Sequence, residues 1–121
     1  MRMEKVNSLM QREISNMLLF GDINDPRVSL VTIMNVDVSK DLHYARVKFS
    51  VLKDDSKTVE NAQKGLDSCR KYVRKLIGQR LKLRYTPEVY FVFDKSVQYA
   101  AHIDAALEDI KKNTANQGLN S

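Results

Sequence analysis

Side chains that could bind phosphate groups are concentrated in one short part of the chain. Residues 64–84 contain eight lysines and arginines but a single acid, Asp67. The whole chain of 121 residues carries a formal charge of +5, so the remainder of the chain is slightly acidic. A local excess of positive charge is typical of a surface that binds polyanions. The residues that we expect to contact phosphate, here called the cationic cluster, are Arg70, Lys71, Arg74, Lys75, Arg80, Lys82 and Arg84.

The spacing of these cations argues against a helix face that is merely solvated. Arg70 and Arg74 are one helical turn apart, as are Lys71 and Lys75. Like charges at this spacing repel each other, at a cost of roughly a few tenths of a kcal/mol per pair. We therefore favour a polyanion-binding surface over a solvated face. Nucleic acid is favoured over a membrane because the chain has no tryptophan to insert into lipid.

Residues that could perform catalysis or hold a metal ion are few. His43 and His102 have no partner nearby in the sequence, and Cys69 falls in an apolar helical stripe, as a small core residue would. Neither the ligand spacing of a zinc site nor a glycine-rich phosphate loop is present. We therefore expect no enzyme activity, no cofactor and no metal site. Tyr85 and Tyr90 could stack on bases, but we favour packing for both.

Length and composition indicate one globular domain outside the membrane. A chain of 121 residues with 43% hydrophobic and 29% charged residues is typical of a soluble protein. The single cysteine excludes an internal disulfide and favours a reducing compartment. No apolar run approaches the roughly 20 residues needed to span a bilayer. We expect a cytoplasmic protein that is neither exported nor bound to a membrane.

The first half of the chain predicts a helix followed by a β-hairpin. Apolar residues at spacings of three and four predict a helix over Met3–Leu19, ended by the turn Asp25-Pro26-Arg27. Residues 28–38 are rich in β-branched side chains and apolar on both faces, which predicts a central strand. The turn at residues 39–42 leads to an antiparallel strand over 43–52.

The second predicted strand separates apolar from polar side chains by strict alternation. One face carries Ala45, Val47, Phe49 and Val51, and the other carries Tyr44, Arg46, Lys48 and Ser50. Arg46 and Lys48 could extend the phosphate-binding surface beyond the cationic cluster.

The second half predicts a helical region, a third strand and a last helix. Ser56 is the expected N-cap of helical residues 58–83, which Gly78 could interrupt. Residues 86–94 form the third strand, and a helix from Val97 to Ile110 follows. The expected fold is a two-layer α+β domain over residues 1–112, with helices on one face of a three-stranded sheet. The third strand pairs in parallel with the hairpin, and residues 113–121 form a disordered tail.

Two blocks of the sequence resemble the bacterial ribosome-binding factor A family. The first block shows the family's Asp-Pro-Arg turn, its Val-x-Val-Ser strand end, its Asp-Leu pair and its Ala-x-Val-x-Val-Ser type of strand. Here these are Asp25-Pro26-Arg27, Val36-Asp37-Val38-Ser39, Asp41-Leu42 and Ala45-Arg46-Val47-Lys48-Phe49-Ser50. The second block, residues 72–104, contains segments similar to those of the family at residues 74–78, 83–89 and 93–96. The resemblance covers nearly the whole chain and leaves out only the tail.

The resemblance implies a KH-like domain of the second type, with the order α-β-β-α-α-β and here a C-terminal helix. It implies a non-enzymatic RNA-binding factor for late maturation of the small (30S) ribosomal subunit. The implied partners are that subunit, its 16S ribosomal RNA and an assembly GTPase. Promotion of 5′-end processing and a role in growth in the cold are also implied. We expect the protein to act as a monomer.

The chain departs from related sequences where its helices meet. No two of its glycines stand three apart, so the GxxG loop of a conventional KH domain is missing. The family commonly has an Ala-x-Gly kink between the helices, and here the matching residues are Cys69, Arg70 and Lys71. Lysine lacks the backbone freedom of glycine. We therefore expect a milder kink, or one formed by Cys69 alone.

Two other classes of function remain open from the residues. A protein–protein adaptor could use the same basic helix to bind an acidic partner. A small RNA-processing enzyme is less favoured, because the sequence shows no pair of acid and base residues.

Overall fold

The computed structural model of this chain describes residues 2–53 and 55–95. Three helices, a 3-10 turn and three strands form in the order α1, turn, β1, β2, α2, α3 and β3. Their bounds are Met3–Leu19 (α1), Pro26–Val28 (3-10 turn), Val31–Val38 (β1), Tyr44–Val51 (β2), Ser56–Ser68 (α2), Arg70–Arg80 (α3) and Glu88–Phe93 (β3). The predicted last helix and the predicted tail lie outside the described residues.

The sheet has the strand order β1-β2-β3, which places β2 at its centre. β1 and β2 are antiparallel, whereas β2 and β3 are parallel, so both predicted pairings are confirmed. The prediction that the first strand is central was wrong, because the crossover through α2 and α3 brings β3 beside β2. The apolar character of β1 on both faces has another cause. A bulge between Ile33 and Asn35 turns both Ile33 and Val36 into the core, although they are three positions apart.

The three helices pack on one face of this sheet, as predicted for an α+β fold. β2 contributes the alternating side chains of Ala45, Val47 and Phe49, all with no exposed surface. Opposite them lie the core faces of the helices, which bury Val6, Met10, Ile14, Met17, Ala62, Leu66, Val73, Leu76 and Ile77. The apolar stripe predicted from the sequence therefore faces the core; it consists of Leu66, Cys69, Val73, Leu76 and Ile77.

Three local predictions change in the structure. The single helical region is divided into α2 and α3 at Cys69, whereas Gly78 lies inside α3. The N-cap of α2 is Asp55 and not Ser56, since an Asp55 carboxylate oxygen accepts a 2.8 Å hydrogen bond from the Thr58 amide. That bond lowers the pKa of Asp55.

Within residues 2–53 and 55–95, no helix is long and apolar enough to cross a bilayer.

Candidate nucleic-acid interface

A groove of about 460 Å³ lies between β3 and the junction of α2 with α3. Its walls combine cations from the start of α3 with the exposed edge of β3. The lining residues are Asp67, Ser68, Arg70, Lys71, Arg74, Glu88 and Val89. The structure therefore places three members of the cationic cluster around one concave surface.

Cys69 forms the junction between the two helices. Its φ of −107° and ψ of 8° lie outside the helical range, and its amide bonds the Leu66 carbonyl at 3.1 Å. Its carbonyl accepts the first hydrogen bond of α3, from the Val73 amide at 2.9 Å. Burial raises the pKa of the thiol, and Sγ donates to the Leu66 carbonyl at 3.1 Å. Arg70 and Lys71, the other two residues of the predicted kink, already belong to α3.

The Asp25-Pro26-Arg27 turn packs against this junction. Arg27 forms a 2.6 Å ion pair with Asp25, and the hydrogen bond from Arg27 lowers the pKa of the Asp25 carboxyl. Nη2 of Arg27 also donates to Ser68 Oγ at 3.4 Å, across 41 positions of sequence. The sequence predicts this turn only as the end of the first helix. Its contact with the α2–α3 junction depends on long-range packing and has no local sequence signal.

Two arginines of the cationic cluster are anchored to β3 and to the segment that leads into it. Arg70 Nε donates to the Val89 carbonyl at 2.6 Å, and Arg74 donates to the Thr86 carbonyl at 3.1 and 3.2 Å. A second carbonyl of β3, that of Phe91, accepts a 2.8 Å bond from Gln63 Nε2. These side chains donate hydrogen bonds to backbone carbonyls that would otherwise have to bond water.

Arg80 and Arg84 also have partners within the chain. Arg80 bonds Asp22 at 3.0 Å and lies 3.9 Å from a carboxylate oxygen of Glu13, which ties the end of α3 to α1 and to the segment after it. The guanidinium of Arg84 lies 5.4 Å from the centre of the Tyr85 ring. Arg80 is therefore mainly a structural contact between helices, which its place in the sequence does not reveal.

The three lysines of the cationic cluster are available for a partner. Lys71, Lys75 and Lys82 are exposed, and none has a hydrogen bond or ion pair with another described residue. Lys64, outside the cluster, pairs with Glu60 at 3.2 Å. Arg46 and Lys48 lie on the open face of β2.

The tyrosines singled out in the sequence both have ring contacts. Tyr85 stacks on His43 with ring centres 5.1 Å apart, which gives His43 a packing partner. Tyr90 lies beneath the Arg70 guanidinium, 4.2 Å from ring centre to cation. For metal binding, the described part of the chain contains no group of three or more His, Cys, Asp or Glu residues that could hold an ion.

Comparison with known proteins assigns the family. A family model described as ribosome-binding factor A matches residues 2–107. This chain belongs to that family. The ribosome-binding factor A of Lacticaseibacillus casei (strain BL23) is 42% identical over 111 residues, which cover 92% of this chain and 94% of the relative. That of Clostridium botulinum (strain Okra / Type B1) is 41% identical over 116 residues, with 95% of both chains covered.

Solved structures of ribosome-binding factor A proteins share the fold. The crystal structure from Thermus thermophilus has a TM-score of 0.66 at 20% identity, covering 76% of this chain and 96% of the other. The solution structure of a putative member from Thermotoga maritima has a TM-score of 0.59 at 27% identity, covering 76% and 90%. A Thermus thermophilus model fitted into a cryo-EM map of a 30S complex has a TM-score of 0.59 at 19% identity, covering 74% and 91%. The α+β class and the family predicted from the sequence are both confirmed.

Proposed function

We propose that this member of the ribosome-binding factor A family binds the small ribosomal subunit through 16S ribosomal RNA and acts during late maturation of that subunit. The name of the family supports a ribosomal partner, and the 30S complex of the Thermus thermophilus relative supports the small subunit. The observation that carries the proposal is the set of exposed lysines without intramolecular partners among the described residues, Lys71, Lys75 and Lys82.

The proposed binding relies on phosphate contacts. Each lysine that meets a phosphate releases condensed counterions, which makes the affinity depend on salt. Such contacts position a protein on RNA but do not read its bases. The groove beside the α2–α3 junction adds Arg70 and Arg74, whose positions are held by their bonds to β3 and its entry. Selectivity then comes from the shape of a folded RNA that fits both the groove and the lysines.

The remaining parts of the proposal concern the biological role. The protein acts as a monomeric binding factor without turnover chemistry and promotes processing of the 5′ end of the 16S RNA. It is most important during growth in the cold, and an assembly GTPase is associated with its release. The features of this chain that support these roles are its family membership and the cationic cluster.

Charge reversal of the three available lysines tests this function. The variant Lys71→Glu, Lys75→Glu, Lys82→Glu should fold normally but lose co-sedimentation with small subunits, with affinity falling at least about tenfold. The matched control is Lys5→Glu, Lys40→Glu, Lys57→Glu. It changes the net charge equally at exposed lysines outside the cationic cluster and should still co-sediment.

Two outcomes would contradict the proposal. Normal co-sedimentation of the first variant would show that the cationic cluster is not the binding surface. Association with a ribosomal protein that survives nuclease digestion of the RNA would support the protein–protein adaptor instead.

A further inference from the structure

The face of the sheet opposite the helices carries two exposed aromatic side chains. Tyr44 on β2 is 54% exposed and Tyr90 on β3 is 39% exposed. Their ring centres are 6.1 Å apart and their planes are tilted by 42°, so the two rings form one small patch. Beside them, Val92 is 39% exposed. The described helices pack on the other face, and this patch faces away from them.

The register of the strands surrounds this patch with polar and charged residues. Arg46 pairs with Tyr90 on one side and with Asp37 on the other, and Lys48 pairs with Val92 and Asn35. Glu88, opposite Tyr44, accepts a 3.0 Å hydrogen bond from the Tyr90 hydroxyl. The two acids offset the two cations, so this face by itself has little net attraction for phosphate. Its distinguishing feature is the pair of rings.

Arg70 connects this face to the cationic cluster. Its backbone belongs to α3, its Nε bonds the Val89 carbonyl at the edge of β3, and its guanidinium lies over the Tyr90 ring. The side chain therefore passes around the edge of the sheet from the groove to the open face. The groove and the open face of the sheet are therefore connected by one side chain.

We propose that Tyr44 and Tyr90 form a stacking platform for unpaired RNA bases, while the cationic cluster holds the adjacent phosphates. The inference rests on the proposed function, because it takes RNA as the partner. Exposed aromatic rings next to an arginine-bearing groove are the combination that binds single-stranded RNA without base selectivity. Arg46 and Lys48 border the platform and contact the strand as it leaves. The protein thus prefers RNA that offers unpaired nucleotides beside a phosphate track.

Comparison of binding to single-stranded and double-stranded RNA distinguishes the contribution of the tyrosine platform from that of the cationic cluster. Tyr44→Ala, Tyr90→Ala should weaken binding to an unpaired oligonucleotide about tenfold or more, leave binding to a duplex unchanged and leave the salt dependence intact. Tyr44→Phe, Tyr90→Phe keeps both rings and should bind as the wild type does. The matched control is Tyr72→Ala, which removes a tyrosine of similar exposure, 44%, from α3.

A fluorescent side chain gives a second measurement of RNA binding at the platform. It does not require the removal of an aromatic ring, which could destabilise the protein. The chain contains no tryptophan, so Tyr44→Trp introduces a single emitting indole that can still stack. Unpaired RNA should quench its emission, and duplex RNA should not. In the RNA-free protein, acrylamide should also quench it, since the platform is open.

The outcomes distinguish this proposal from the proposed function. If the double alanine variant binds unpaired RNA as tightly as the wild type, or if the introduced indole does not respond while RNA binds, the platform is overturned and phosphate binding stands. Shielding of the introduced indole from acrylamide without RNA would show that this face is covered in the free protein, and would also overturn the platform. If the wild type binds neither RNA form, the proposed function itself fails.

Discussion

Arginines and lysines have different roles within the cationic cluster. The planar guanidinium group forms directed bonds to carbonyls and carboxylates, whereas the ammonium group of lysine is a flexible point charge. Arg70 and Arg74 bind carbonyls of β3 and its entry, and Arg80 binds Asp22. The exposed lysines have no such bonds among the described residues. Arg70, Arg74 and Arg80 therefore help to build the surface, and the lysines remain available to bind.

A pair of alanine substitutions tests this division. Arg80→Ala should lower the free energy of unfolding by about 0.5–1 kcal/mol, because its ion pairs are partly screened by solvent, and should affect RNA binding little. Lys82→Ala should change stability by less than about 0.5 kcal/mol but weaken RNA binding. Urea denaturation and RNA titration measure the two effects. A variant at Arg80 that is fully stable, or that loses more affinity than the one at Lys82, would contradict this assignment.

Among the elements, the packing of α2 on the 3-10 turn positions the α2–α3 junction. Gly65 is buried in α2 and faces Arg27 and Val28 of the turn. A Cβ atom at Gly65 would lie 2.9 Å from Val28 Cγ1 and 3.1 Å from Arg27 Cβ. Val28 is only 4% exposed, so it has little room to move. Glycine is needed here for a close approach of two elements.

Gly65→Ala should therefore destabilise the protein although alanine favours helix. The gain in helix propensity is about 1 kcal/mol, whereas overpacking of this kind costs about 1–3 kcal/mol. We expect a lower melting temperature and a net loss of stability of up to about 2 kcal/mol. The control Asn61→Ala, on the exposed face of the same helix, should not show this loss. Equal melting temperatures for the two variants would mean that the contact is not tight.

Across the whole molecule, charge is distributed unevenly. Residues 64–84 hold eight of the 20 lysines and arginines but one of the 15 acids. Folding leaves three lysines of the cationic cluster exposed. It pairs Arg80 with Glu13 of α1 and with Asp22 in the segment after α1. We therefore expect long-range attraction of RNA to be directed to one part of the surface.

The salt dependence of RNA binding measures this distribution. If six phosphates are contacted, the logarithm of the affinity should fall with the logarithm of salt concentration with a slope of about −4 for single-stranded RNA. Lys71→Ala, Lys75→Ala, Lys82→Ala should make the slope shallower by about 2. Lys5→Ala, Lys40→Ala, Lys57→Ala should leave it nearly unchanged. Equal slopes for the two triple variants would show that net charge, and not its placement, controls binding.

Local patterns were sufficient to predict most elements of this fold. The alternation along β2 and the helical spacing in α1 involve side chains that are only a few positions apart. Each spacing places its apolar side chains on one face of a single type of element, a strand for β2 and a helix for α1. The same holds for the hairpin, whose short turn forces antiparallel pairing. The location of the cationic cluster is likewise visible in the sequence, because charge is a property of residue type.

Contacts between distant residues decided the rest. Whether Arg80 meets RNA or Asp22 depends on a partner 58 positions away, and whether β1 or β2 is central depends on where β3 arrives after two helices. Cys69 divides the helical region, and the junction is packed by the turn at Asp25-Pro26-Arg27. Tyr44 and Tyr90 share one face only because β2 and β3 pair in this register. Side-chain type is local information, but the partner of each side chain is set by the packing of the complete chain.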